Sequence, residues 1–179
     1  MIAVIPGAET GVELADRLST RLGLRSNGEA GSLARRDKYL MGETVRKAGV
    51  RAVKQEACTT MKQLRTFCAT LPQQPFKCVV KPGMSAGTDD VFLCSSLDDA
   101  EVAFERILGK RNGVGLINES VLVQEFLVGK EYVIDKVTVI SCWFLLSHLL
   151  DGNLLTAYIH FAYLHFFSLI RYLGTVYTS

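Results

Sequence analysis

Apolar positions recur along this chain with two periods, one suited to strands and one to helices, and they alternate over its first three-quarters. The apolar run at residues 2–5 predicts a short strand, and Val12, Ala15, Leu18 and Leu22 follow at helical spacing within residues 11–22. Residues 35–50, RRDKYLMGETVRKAGV, predict an amphipathic helix with Tyr39, Leu40, Thr44 and Val45 toward the core. Gly49 closes it, at the place after a helix where a left-handed residue stops the spiral. A strand near residues 51–55 comes next, then a helix over about residues 60–71 that carries Met61, Leu64, Phe67 and Cys68. Val79 and Val80 read as a buried strand ended by Lys81, residues 83–88 as a flexible turn, and residues 91–94 as a returning strand. Ser96 with Asp99 forms a capping-box start, and Val102, Ala103, Ile107 and Leu108 give that helix its buried stripe. After a glycine-containing loop at residues 110–120, strands are predicted at residues 121–125 and 131–137, on either side of a turn at Gly129. The order places the chain in the α+β class.

The chemistry concentrates in VVKPGMSAGTDDVFLC, residues 79–94, where one lysine stands at a strand end directly before a loop of small residues. Glycine and alanine let backbone N–H groups approach an anion with no bulky side chain in the way, and Lys81 adds a point charge. On these residues alone, a surface hairpin with a solvated lysine carries equal weight. A second basic cluster, Arg35, Arg36 and Lys38, falls at the start of the predicted helix, where acids are the usual choice. It suggests a nearby anion, with an ordinary solvated face as the competing reading. Glu9, in the loop PGAETG, reads first as a capping acid for the coming helix and only second as a catalytic group.

Charge and composition narrow the options. Lys and Arg number 20 against 18 Asp and Glu, with no basic run longer than two, so the footprint of a nucleic-acid binder is missing. The five cysteines form no CxxC pair and there is no secretory leader, which points to reduced thiols and a cytoplasmic location. Composition then breaks sharply near Lys136. Residues 138–179 hold one acid, Asp151, one base, Arg171, all three histidines and nine of the sixteen aromatic residues.

Three segments, in order, resemble the ATP-grasp ligases over about residues 1–137. They are RRDKYLMGETVRKAGV, the lysine-bearing hairpin, and LVQEFLVGKEYVIDKV at residues 122–137. The resemblance implies an α/β pre-domain and an α+β ATP-grasp small lobe. Residues 1–30 would be part of the pre-domain and residues 31–137 the nucleotide-binding lobe. It implies that Lys38 and Lys81 meet ATP phosphate, and that Ser85, Ala86, Gly87 and Thr88 form a lid over the β- and γ-phosphates. Gln124, Glu125 and Leu127 would form the hinge at the adenine edge, chiefly through main-chain groups of Glu125 and Leu127. Glu131 would accept from the ribose hydroxyls. Where the family often has an acid at the hinge start, Gln124 offers an amide oxygen that can accept from the adenine amino group. PGAETG and LGLRSNG, residues 22–28, look most like the pre-domain of carboxylate–amine ligases that join amino acids.

The same resemblance implies ATP and magnesium ion as cofactors, with an amino acid or other carboxylate and an amine as substrates. The family's metal-binding and catalytic groups belong to a second lobe, for which this chain shows no counterpart, so no metal ligand or catalytic residue is assigned. Residues 138–179 read first as an aberrant tail from an intron or a shifted frame. A membrane segment centred on residues 154–170 comes second, and a packed helix pair third. The leading expectation is therefore the ATP-binding part of a carboxylate–amine ligase, truncated and catalytically incomplete. The alternative is a membrane-anchored, non-catalytic nucleotide-binding module. Neither GxxxxGK[ST] nor GxGxxG occurs, which leaves other nucleotide folds with little support.

Overall fold

The structure, a computed structural model, describes residues 3–72, 75–129, 132–139, 142–149 and 169–172. Two compact units form, Met1–Phe126 and Leu127–Ser179. The first is built on a four-stranded antiparallel sheet of β1 (Gln55–Cys58), β2 (Cys78–Pro82), β3 (Phe92–Cys94) and β4 (Val121–Glu125), in the order β1-β4-β2-β3. Residues directly opposite in antiparallel strands share a face, so the register sorts the side chains. Cys58, Cys78, Val80, Cys94, Val121 and Val123 lie in the core. They pack against Leu64 and Cys68 of α3 (Met61–Cys68) and Ala100, Ala103, Phe104 and Ile107 of α4 (Leu97–Ile107). Leu64 and Ile107 are fully buried, and truncating either to alanine would cost about 2–5 kcal/mol. The opposite sheet face carries Gln55, Val79, Lys81, Leu122 and Gln124, paired as Gln55 with Gln124, Val79 with Gln124 and Lys81 with Leu122.

Helix starts follow the sequence signals. Thr60 and Gln63 make a reciprocal capping box for α3, as do Ser96 and Asp99 for α4. α1 spans Val12–Arg21, and α2 spans Lys38–Lys47 with Gly49 left-handed at φ 76° beyond its end. α2 starts three residues later than expected because the Asp37 carboxylate accepts from the Leu40 N–H at 2.8 Å and caps it there. Arg35 falls instead in a 3-10 turn, Leu33–Arg35.

Several expectations are corrected. Of the strand expected at residues 2–5, residue 2 lies outside the described residues and residues 3–5 form no strand, since a strand exists only where a neighbour takes its backbone hydrogen bonds and no described strand lies beside them. Glu9 caps nothing; its carboxylate sits on Arg36 at 2.5 Å. The strand expected at residues 51–55 lies at Gln55–Cys58, where β4 offers a partner. Thr44 is exposed and bonds back to the Leu40 carbonyl. Val102 is 68% exposed, because the cap at Ser96 sets the phase of α4 so that Ala100 and Phe104 face inward.

In the second unit, β5 (Tyr132–Val139), β6 (Cys142–Leu149) and β7 (Leu169–Tyr172) form an antiparallel sheet in the order β6-β5-β7. β6 and β7 lie within the stretch read as an aberrant tail. Of the candidate membrane segment, residues 154–168 lie outside the described residues, and Leu169 and Ile170 belong to β7. Among the described residues, no helix is long and apolar enough to cross a membrane.

Candidate functional site

The first turn of α2 is joined to the loop after β2 by two contacts. The Lys38 N–H donates to the Gly83 carbonyl at 3.1 Å, and its ammonium donates to the Ser85 carbonyl at 2.7 Å. The Ser85 hydroxyl stands 3.4 Å from the same nitrogen. Lys38 and the loop lie 47 positions apart in sequence and meet here. Burial lowers the Lys38 pKa from its ordinary value, with the Glu9 carboxylate opposing and the Arg36 guanidinium adding to the fall.

Lys81 lies on the same side. Alternation along β2 turns Cys78, Val80 and Pro82 inward and leaves Val79 and Lys81 on the opposite face. Burial, and then the Lys38 charge, push the Lys81 pKa down to about 8. Among the described residues, no carboxylate lies within ion-pair distance of either ammonium. Two partly buried cations, of which Lys38 lowers Lys81 and neither is in an ion pair with a carboxylate, make a place where an anion gains free energy on arrival.

The loop between β2 and β3 is held at both ends. The buried Asn112 carboxamide donates to the Met84 carbonyl at 2.7 Å, and the Asp89 carboxylate accepts from the Gly113 N–H at 2.5 Å. Ser85 is buried and Ala86 half-buried, which leaves Gly87 and Thr88 as the exposed tip. Gly87, Thr88 and Asp90 have φ of 65°, 60° and 49°. For the β-branched Thr88 such a backbone is strained, a feature that recurs where loops clamp ligands.

At the hinge, the Gln124 amide donates to the Gln55 carboxamide oxygen at 2.8 Å. The Glu125 N–H donates to the Lys54 carbonyl at 2.9 Å, and its carboxylate accepts from the Lys54 N–H at 2.8 Å. That N–H is therefore engaged within the sheet edge. Leu127 begins the second unit. Glu131 lies outside the described residues.

The basic cluster expected at the helix start does not gather. Arg35 pairs with Asp16 at 2.7 Å and Arg36 with Glu9, so both cations are neutralised internally and only Lys38 reaches the loop. Sequence reasoning missed Gln55, Asn112 and the capping role of Asp37. The Asn-Gly at 112–113 marked a turn, but its amide's reach to Met84 has no sequence signature. A cleft of about 270 Å³ is lined by Tyr39, Glu43, Lys54, Gln55 and Phe67, and neither Lys38 nor Lys81 lines it.

Dapdiamide A synthase of Enterobacter agglomerans is 42% identical to this chain over 136 residues, which are 75% of the chain and 32% of that protein. The L-amino acid ligase from Bacillus licheniformis superposes with a TM-score of 0.56 at 15% identity, over 78% of this chain and 29% of that one. D-Alanine-D-alanine ligase from Helicobacter pylori gives 0.61 at 12% identity, over 88% of this chain and 49% of that one. A RimK domain ATP-grasp protein from Sphaerobacter thermophilus gives 0.51 at 19% identity, over 71% of this chain and 46% of that one. This chain is homologous to the dapdiamide A synthase and shares the fold of the ATP-grasp ligases. It spans about a third of the curated relative's length. No family model matches it. The α+β class read from the order of predicted elements is the observed one, a mixed helix and antiparallel-sheet fold.

Proposed function

We propose that this ATP-grasp chain is the nucleotide-binding part of a carboxylate–amine ligase. The observation that carries the reading is the pair of partly buried cations Lys38 and Lys81, neither in an ion pair with a carboxylate among the described residues, beside the Ser85, Ala86, Gly87 and Thr88 loop. The triphosphate of ATP would supply the missing negative charge, with Lys81 nearest the α-phosphate and the loop N–H groups over the β- and γ-phosphates. Gln124, the Glu125 and Leu127 backbone and Glu131 would hold adenine and ribose. A carboxylate oxygen would attack the γ-phosphorus and release ADP. An amine nitrogen would then attack the acyl carbon of the acylphosphate, lose its proton and release phosphate, forming an amide. The lysines would act by positioning and by neutralising charge as it moves onto ADP. The names of the similar proteins, a dapdiamide synthase and amino acid ligases, favour amino acids as substrates.

Magnesium would neutralise further phosphate charge in such a reaction. Among the described residues, no three His, Cys, Asp or Glu side chains converge to hold a metal, so they do not fit one and no step is assigned through it. In this reading the chain alone binds nucleotide without completing ligation. Calorimetric titration with ATP tests the core of it. Binding to the full chain that is lost in Lys81→Ala supports the reading, and equal titrations of the two proteins overturn it.

A further inference from the structure

Gln55 is buried, yet it sits on the sheet face that carries Lys81, directly opposite Gln124 in the β1–β4 ladder. Its amide nitrogen donates to the Tyr39 carbonyl at 2.8 Å and to the Glu43 carboxylate at 3.1 Å. Both partners can only accept, since a main-chain carbonyl and an ionised carboxylate have no proton to give. The Gln55 bond and the Arg46 guanidinium hold the Glu43 carboxyl below the usual range, so it is ionised at neutral pH. The direction of the Gln55 carboxamide is thereby set: nitrogen toward α2, oxygen toward β4. That oxygen accepts from the Gln124 amide nitrogen at 2.8 Å. Turning the Gln124 carboxamide over would bring two carbonyl oxygens together, so its nitrogen stays on Gln55 and its oxygen faces away. Among the described residues, no protein donor bonds that oxygen.

We infer that Gln55 is a positioning residue for nucleobase choice, holding Gln124 as a hydrogen-bond acceptor so that the site takes a 6-amino purine and rejects a 6-oxo purine. The inference rests on the ATP-site reading above. A 6-amino group donates to the outward oxygen. A 6-oxo group meets it with a second acceptor, and the relay from α2 through Gln55 prevents Gln124 from turning to offer its N–H. An unanchored glutamine would turn and serve either base.

The test compares ATP with inosine triphosphate, which carries oxygen in place of the 6-amino group, by calorimetric titration of the full chain. Gln55→Met keeps side-chain length and removes all three of the Gln55 carboxamide bonds. The expected result is that the preference for ATP falls about tenfold, chiefly through tighter binding of inosine triphosphate. Glu43→Gln, at a less buried helix position, lowers the preference in the same direction but less, and serves if circular dichroism shows Gln55→Met unfolded. An unchanged ATP preference in a folded variant, with ATP still bound, overturns the role of Gln55 and leaves the ATP site standing. If the unmodified chain binds neither nucleotide, the ATP-site reading fails and the inference falls with it. If it binds both equally, only the inference fails.

Discussion

The Lys38 ammonium donates to the Ser85 carbonyl across 2.7 Å, tying the first turn of α2 to the loop that follows β2. This bond orders the loop near Lys81 before any ligand arrives. Lys38→Met keeps the aliphatic stem and removes the tie. Cleavage of residues 85–90 in limited proteolysis is expected to quicken severalfold, and ATP affinity to fall about tenfold, as for loss of one charge-assisted hydrogen bond. An unchanged cleavage rate would show that Asn112 and Asp89 suffice to hold the loop.

Lys81 sets a pH dependence. Its pKa of about 8 in the folded chain lies below the ordinary lysine value of 10.5, so between these values the unfolded chain binds more protons. Stability therefore gains from this group as pH rises from 8 toward 10.5, and the burial penalty is felt in full below 8. Nucleotide binding has the opposite sense, because phosphate favours the protonated form. ATP affinity is expected to weaken as pH rises through 8, with proton uptake visible as a buffer-dependent heat, and Lys81→Met should abolish that uptake. Buffer-independent heats in the unmodified chain would sink the assignment.

Gly42 brings α2 close to β1. A methyl group there would stand 2.4 Å from the Gln55 amide nitrogen and 2.9 Å from its carboxamide carbon. Gly42→Ala should gain about 1 kcal/mol of helix propensity, but it must displace a buried side chain that makes three hydrogen bonds. A net destabilisation of about 1–2 kcal/mol is expected in urea unfolding. A stabilised variant would mean that Gln55 moves aside at little cost.

Asn112 is buried and bonds Met84, Asn118, Val114 and Leu116 at once. Asn112→Leu leaves these groups without a partner and is expected to destabilise the chain by about 2–4 kcal/mol. Hydrogen exchange should rise first at Val114 and Leu116, whose N–H groups Asn112 holds. Uniform exchange across the chain would instead indicate global unfolding.

Period and capping signals carried most of the local structure. α3 starts beside the expected residue 60, α4 starts where Ser96 with Asp99 said it would, and β4 occupies the five residues expected. These signals act over three or four positions, so the sequence exposes them directly. In the strand expected at residues 2–5, residues 3–5 were misread because an apolar run reports the capacity to form a strand, while a strand also needs a neighbour. The lysine-bearing hairpin and the ATP-grasp segments were legible as an ordered set of short motifs.

By itself, then, the sequence determined the α+β class, the Ser96–Asp99 cap of α4, the β2–β3 hairpin and the resemblance to ATP-grasp ligases. Tertiary structure alone decided that Lys38, and neither Arg35 nor Arg36, reaches the loop, because only folding brings Asp16 and Glu9 against the two arginines. It also placed Gln55 opposite Gln124, 69 positions away, and turned both onto the face of Lys81. The reason is physical: a charge or an amide acquires its partner from strand register and helix docking, and these depend on residues far away in the chain.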